Sequence, residues 1–162
     1  MIRKILLALL AILIVIQFFK PAKNISNDNT NHITKQYPMT PEVSELFAVA
    51  CNDCHTNSTR YPWYNNFQPV AWFLNDHVVE GKRHLNLSEL GSKRIALQYK
   101  KLKEIVDMVE KGEMPFDSYT WIHSDARLTD VQKNWITTWA KSASDQMKAI
   151  YPADSLVLPK RK

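Results

Sequence analysis

Residues 40–55 read TPEVSELFAVACNDCH, and the order of events in this stretch decides the fold class. Thr40 is a capping residue, Pro41 suits the first helical position and Glu42 places an acid at the positive end of the helix dipole. Val43, Leu46, Phe47, Ala50 and Cys54 then recur at i, i+3, i+4, i+7 and i+11, one face of an α-helix ending near Cys54. Two thiols three residues apart on a helix lie on one side of it, and a histidine follows directly. Both cysteines of the chain fall in this segment, so no thiol is left over.

Downstream the apolar spacing stays helical and no strand pattern or internal repeat emerges. The loop TNSTRYPWYNNFQP, residues 56–69, carries two prolines and four aromatic residues. A second helix is expected from Pro69 to Glu80, with Val70, Phe73, Leu74 and His77 on one side. A third is expected over Ser92–Lys111, with Ile95, Tyr99, Leu102, Ile105, Val106 and Val109 inward and Gly112 as its stop. Thr129-Asp130-Val131-Gln132 fits a capping box and opens a fourth helix, which runs through Val131, Trp135, Ile136, Trp139, Ala140 and Ala143 to about Ala149. Four amphipathic helices in this length make a thin core that a large buried cofactor would complete.

Upstream, Arg3-Lys4 precedes the apolar run ILLALLAILIVIQFF, residues 5–19, and Lys20-Pro21 ends it. A basic start, an apolar run and a polar exit are the parts of an export signal. No small-x-small cleavage site follows Phe19, so residues 1–20 are expected to be an uncleaved signal anchor forming a transmembrane helix. Residues 21–40 are rich in Asn, Thr, Ser and Lys and read as a flexible tether, with His32 solvated in it. The organisation expected is therefore anchor 1–20, tether 21–40, helical domain 41–150 and basic tail 151–162.

The net charge is +5 over 162 residues. Residues 1–36 carry +4 of it and Lys160-Arg161-Lys162 another +3, which leaves 37–159 mildly acidic at −2. A basic chain with an acidic domain is not built for nucleic acid, so no nucleic-acid partner is expected. Three glycines and the absence of phosphate-loop, dinucleotide, nucleophile-elbow and H-E-x-x-H motifs remove most familiar enzyme classes.

Cys51-Asn52-Asp53-Cys54-His55 is C-x-x-C-H, the c-type haem attachment sequence. Each thiol can add to one vinyl group of a porphyrin, and His55 is then placed as the iron's proximal ligand. An export signal agrees with this, because c-type haem is attached outside the cytoplasm in bacteria. The competing readings are a disulfide or thioredoxin-like redox pair, which belongs at a helix N-terminus after a strand, and a zinc site, which needs four ligands. Met114, held in a loop by Pro115, is the candidate sixth ligand, about sixty residues after the motif. His77, His123 or an open site are the alternatives. Arg60 and Trp63 are candidate donors to a haem propionate.

Three stretches, CNDCHTNSTRYPWY (51–64), QPVAWFLNDHVVEGK (68–82) and GEMPFDSYTWIHSDARLTDVQKNWITTWA (112–140), resemble the small bacterial haem-binding domain family related to cytochrome c. The resemblance covers roughly 41–143 and implies one covalent haem c per chain with His55 as proximal ligand. Met114-Pro115, Leu128-Thr129-Asp130 and the last helix are also similar to the closing part of class I cytochromes c. The segment from Tyr61 to Lys82 has no counterpart in minimal cytochromes, which leaves the distal ligand open. The expectation is an all-α, cytochrome c-like domain of about four helices around one haem. It would be anchored in the inner (cytoplasmic) membrane, face the periplasm and carry single electrons to an unidentified redox partner there. The alternatives are a haem-based sensor or peroxidase-like protein with an open sixth site, needing His77 or His123 as its acid–base group, and a thiol oxidoreductase without haem.

Overall fold

The computed structural model describes residues 1–159, and within them the regular structure is helical, with one isolated bridge between Ile25 and Ser58. The longer helices are α1 (Ile2–Ile16), α2 (Pro41–Ala50), α4 (Val70–His84), α6 (Ile95–Glu110) and α8 (Asp130–Ile150); α3 (Asn52–His55), α5 (Leu87–Leu90) and α7 (Asp117–Thr120) are single turns between them. The all-helical expectation holds.

α6 and α8 pack along their lengths, and α2 lies against α8. Leu102, Ile105, Val106 and Val109 of α6 meet Ile136, Trp139, Ala140, Ala143 and Met147 of α8 in the core, as the helical periodicity predicts. Phe47 of α2 packs edge-on against Trp139 at 5.1 Å between ring centroids, and the Trp139 indole N–H donates to Tyr37 O at 3.2 Å. A buried Trp therefore keeps its polar atom partnered while it fills the space between α2 and α8. The Thr129–Gln132 capping box is formed in full, which is worth about 1 kcal/mol at the start of α8. Thr40 caps α2 through Val43 N, with Pro41 in the first turn.

Several expectations are corrected. α1 has 15 residues, roughly 22 Å at 1.5 Å per residue, against a hydrocarbon core of about 30 Å. The expected transmembrane helix over 1–20 is not found: no described helix is long and apolar enough to cross a membrane. The helix stops because Gln17 turns its amide back to Leu13 O and across to Gln68.

The expected tether is folded onto the domain. Ile33 is fully buried and Tyr37 nearly so, because the domain offers them an apolar groove. Asn24 donates to Thr56 O and Thr59 Oγ1 and accepts from Lys82 Nζ, while Asn27 N bonds Asn57 O. His32 is half-buried and caps the turn Ile33–Lys35, rather than being solvated.

The first helix of the domain breaks at Cys51 instead of running to Cys54 (φ −128°, ψ −44°). α4 continues past Glu80 to His84 and leaves Val70 and Phe73 exposed, and Val131 and Trp135 of α8 also face solvent. Of the expected basic tail, residues 153–156 form a turn whose Leu156 is buried against the core; Lys160, Arg161 and Lys162 lie outside the described residues.

Candidate functional site

The break at Cys51 is what shapes the site. α2 ends on the Phe47 carbonyl, and α3 restarts at right register to return Cys51 O to the backbone N–H of both Cys54 and His55. α4 then crosses this turn at Gly81. A Cβ on Gly81 would lie 2.6 Å from Cys54 O and 3.0 Å from Cys54 Cβ, so only glycine permits the approach.

That approach fixes His55. Its Nδ1 lies 3.0 Å from Gly81 O and 3.0 Å from Leu85 O, at the C-terminal end of α4 where helix carbonyls are plentiful. Both partners are carbonyls and only accept, so Nδ1 carries the proton and donates. Burial holds the pKa of His55 below its ordinary value, opposed by these two bonds. A neutral ring protonated at Nδ1 presents a lone pair at Nε2, the tautomer an iron-ligating histidine needs.

Cys51, Cys54, His55, Met108, Met114 and Phe116 all contribute to the wall of one cavity of about 560 Å³. Its lining is mainly apolar, and its size falls in the range of cofactor pockets. Burial pushes the Cys51 thiol up to about 12, helped by Cys54, and the Cys54 thiol up to about 11, helped by the Asp53 charge. Both thiols are free and protonated at neutral pH. A thioredoxin-like pair needs the opposite, a thiolate stabilised near neutrality, even though Cys51 does stand at the start of a helical turn. Among the described residues no group of three or more His, Cys, Asp and Glu is arranged to hold a metal ion, so the zinc set does not assemble.

These features fit a haem: two cysteines and a tautomer-fixed histidine on one apolar wall, with methionines from α6 and the loop after it. Met114 is half-buried on this wall, its N–H bonded to Met108 O. His77 lines the same cavity; its Nδ1 meets Phe73 O at 2.9 Å, and its ring contacts Phe73 and Phe116. His123 does not line it. It stacks behind Tyr119 at 4.3 Å and meets Tyr64 OH at 2.9 Å.

Arg60 and Trp63 are not on the cavity wall either. The Arg60 guanidinium grips Asp53, Nε to Oδ1 and Nη2 to Oδ2, both 3.1 Å, and Trp63 is exposed against Tyr64 and Phe67.

The Arg60 side chain thus answers Asp53, a residue the sequence reading passed over. Asp53 is buried, lines the cavity and also accepts from Arg60 N at 3.0 Å and Tyr119 OH at 2.9 Å. Burial, reinforced by Asp53, holds the Tyr119 phenol in its protonated, donating form. Four bonds on one carboxylate clamp the turn that carries both cysteines. Gly81 and Tyr119 were also passed over, although a glycine inside an apolar helical run is itself a signal of close backbone approach.

The sequence model of a family described as "Haem-binding domain" matches residues 11–142. The chain belongs to that haem-binding domain family. No curated protein and no solved structure matches it.

Proposed function

We propose that the chain is a membrane-attached monohaem c-type cytochrome that passes single electrons on the periplasmic side of the cytoplasmic membrane. One observation carries the reading: Cys51, Cys54, the Nδ1-protonated His55 and Met114 share the wall of a single apolar cavity.

Haem bound there supplies a one-electron Fe(III)/Fe(II) couple. Cys51 and Cys54 would hold it by adding S–H across its two vinyl groups, each forming one S–C bond while the proton goes to the neighbouring carbon and no electrons are lost. His55 would offer Nε2 to the iron, its ring kept in orientation by Gly81 O and Leu85 O. Met114, on the same cavity, would offer its thioether to the iron, a ligand that favours the reduced state and suits electron transfer. The apolar walls exclude water, so little solvent reorganises when the charge changes. Attachment rests on α1, which begins with Arg3 and Lys4 and is exposed along nearly its whole length with no polar face. Its apolar surface would enter the bilayer without a full span, with Arg3, Lys4 and Lys20 reaching to the headgroups. Export agrees with haem attachment, which takes place outside the cytoplasm. The electron partner is an unidentified periplasmic redox protein.

Absorption spectra of the full chain, matured with haem and recorded oxidised, reduced and with carbon monoxide, test this. The expected result is a low-spin haem, indifferent to carbon monoxide. Its near-infrared thioether band disappears in Met114→Ala and survives in His77→Ala. A high-spin haem that binds carbon monoxide would overturn the carrier and favour a sensor or peroxidase-like protein.

A further inference from the structure

The exit of α1 is bolted to the domain. Gln17 exchanges two hydrogen bonds with the backbone of Gln68, and Phe19 O accepts from both Gln68 Nε2 and Trp72 Nε1 at 2.8 Å. A helix with no buried residue is therefore joined to the start of α4 without slack. Around that joint the surface is aromatic: Phe18 is 83% exposed, Trp63 76%, Phe67 56% and Trp72 40%. Trp63 packs edge-on against Phe67 at 6.2 Å, which makes the patch continuous on the loop side.

The charge pattern points to the occupant. Residues 1–27 and 54–75, the two segments that build this face, contain no Asp or Glu, in a domain that is otherwise mildly acidic. Lys20 and Lys23 lie at the joint and neither is in an ion pair among the described residues. Tryptophan with lysine beside an apolar helix end is the composition of a membrane interface, and anionic headgroups attract such cations.

We propose that the face formed by Phe18, Phe19, Trp63, Phe67 and Trp72 docks the domain onto the headgroup zone of an anionic lipid bilayer, a proposal that rests on membrane attachment through α1. The domain then sits on the membrane instead of swinging on a leash. From Val70 at this face to Gly81 at the cysteine turn is eleven residues of α4, so the cavity is held within about 16 Å of the docked end along that helix. Such placement favours electron exchange with a redox partner that meets the domain at the periplasmic membrane surface.

The test uses the haem-loaded full chain with phosphatidylcholine–phosphatidylglycerol vesicles. An environment-sensitive fluorophore is attached to Asn66→Cys, on the face, or to Ser142→Cys, exposed on α8; Cys51 and Cys54 are half-buried and, in the haem-loaded chain, taken up by haem. The expected result is co-flotation with a blue-shifted emission at position 66 and none at 142. The shift would fall with salt or on pure phosphatidylcholine, and be lost in Trp63→Ser/Phe67→Ser while flotation persists. Co-flotation with equally water-exposed labels would overturn docking and leave attachment standing. Absence of flotation would overturn attachment and docking together. A blue shift at position 66 without vesicles would assign the face to a second copy of the chain and overturn the lipid assignment.

Discussion

Gly81→Ala sets two effects of known size against each other. In the interior of an exposed helix, alanine in place of glycine stabilises by about 1 kcal/mol. In α4 the new Cβ would meet Cys54 O at 2.6 Å, about 0.8 Å inside an ordinary contact near 3.4 Å. The obstacle is backbone, which cannot rotate away, so α4 must retreat by most of an ångström. Overpacking of that kind costs about 1–3 kcal/mol. The retreat also stretches both His55 Nδ1 bonds from 3.0 Å, which removes about another 1 kcal/mol. The balance is a loss of about 1–3 kcal/mol, which for a chain of this size lowers Tm by about 3–10 °C.

Thermal melts of the haem-loaded protein measure the loss, with Ser142→Ala on exposed α8 as the control that shows helix propensity alone. The haem spectrum should broaden at the same time as His55 loses its fixed orientation. A Gly81→Ala protein as stable as the parent, with an unchanged spectrum, would refute the close approach and the histidine geometry built on it.

Asp53→Asn puts an amide donor against Arg60 and Tyr119, so it should cost about 1–3 kcal/mol in urea denaturation, with strong coupling to Arg60→Met in a double-mutant cycle. Before haem attachment, thiols at about 11 and 12 leave on the order of 0.1% or less thiolate at pH 8, so iodoacetamide should label the native chain about a hundredfold more slowly than the unfolded one. Both folded pKa values are raised, so the unhaemed chain is unaffected below the unfolded thiol pKa near 8.5 and loses stability from there up to about 11–12, which alkaline denaturation curves would reveal. Hydrogen exchange should find the Asn27 and Thr59 amides protected in the parent and fast in Asn24→Ala, because residues 24–29 are part of the domain; free exchange in the parent would restore the tether.

What was legible in the sequence was local. The Thr129–Gln132 box, Gly112 and the apolar stripe of α6 each depend on residues a few positions apart, and each appears where the pattern places it; C-x-x-C-H is legible as a motif, but the helix break at Cys51 that shapes it is not. Met114 reaches the cavity from a loop that its own proline marks. What was illegible depends on distant partners. Nothing near Ile33 in sequence announces burial, since the groove it fills comes from elsewhere in the chain. Arg60 looks like a free cation until Asp53, seven residues earlier, is seen to face it across the turn. Val131 and Trp135 are apolar at helical spacing, yet they fall on the solvent side of α8, because Ile136 and Trp139 define a stripe that excludes them. The membrane run was legible as apolar; its end was not, because Gln17 finds its partner at Gln68.

The most direct test of the central claim is the intact mass of the full chain, matured with haem and measured after denaturation, beside Cys51→Ala/Cys54→Ala. The expected result is a chain heavier by one haem that survives unfolding, and a double variant at the mass of the bare polypeptide. A wild-type chain that sheds its haem on denaturation, or carries the bare mass throughout, would contradict covalent attachment at Cys51 and Cys54.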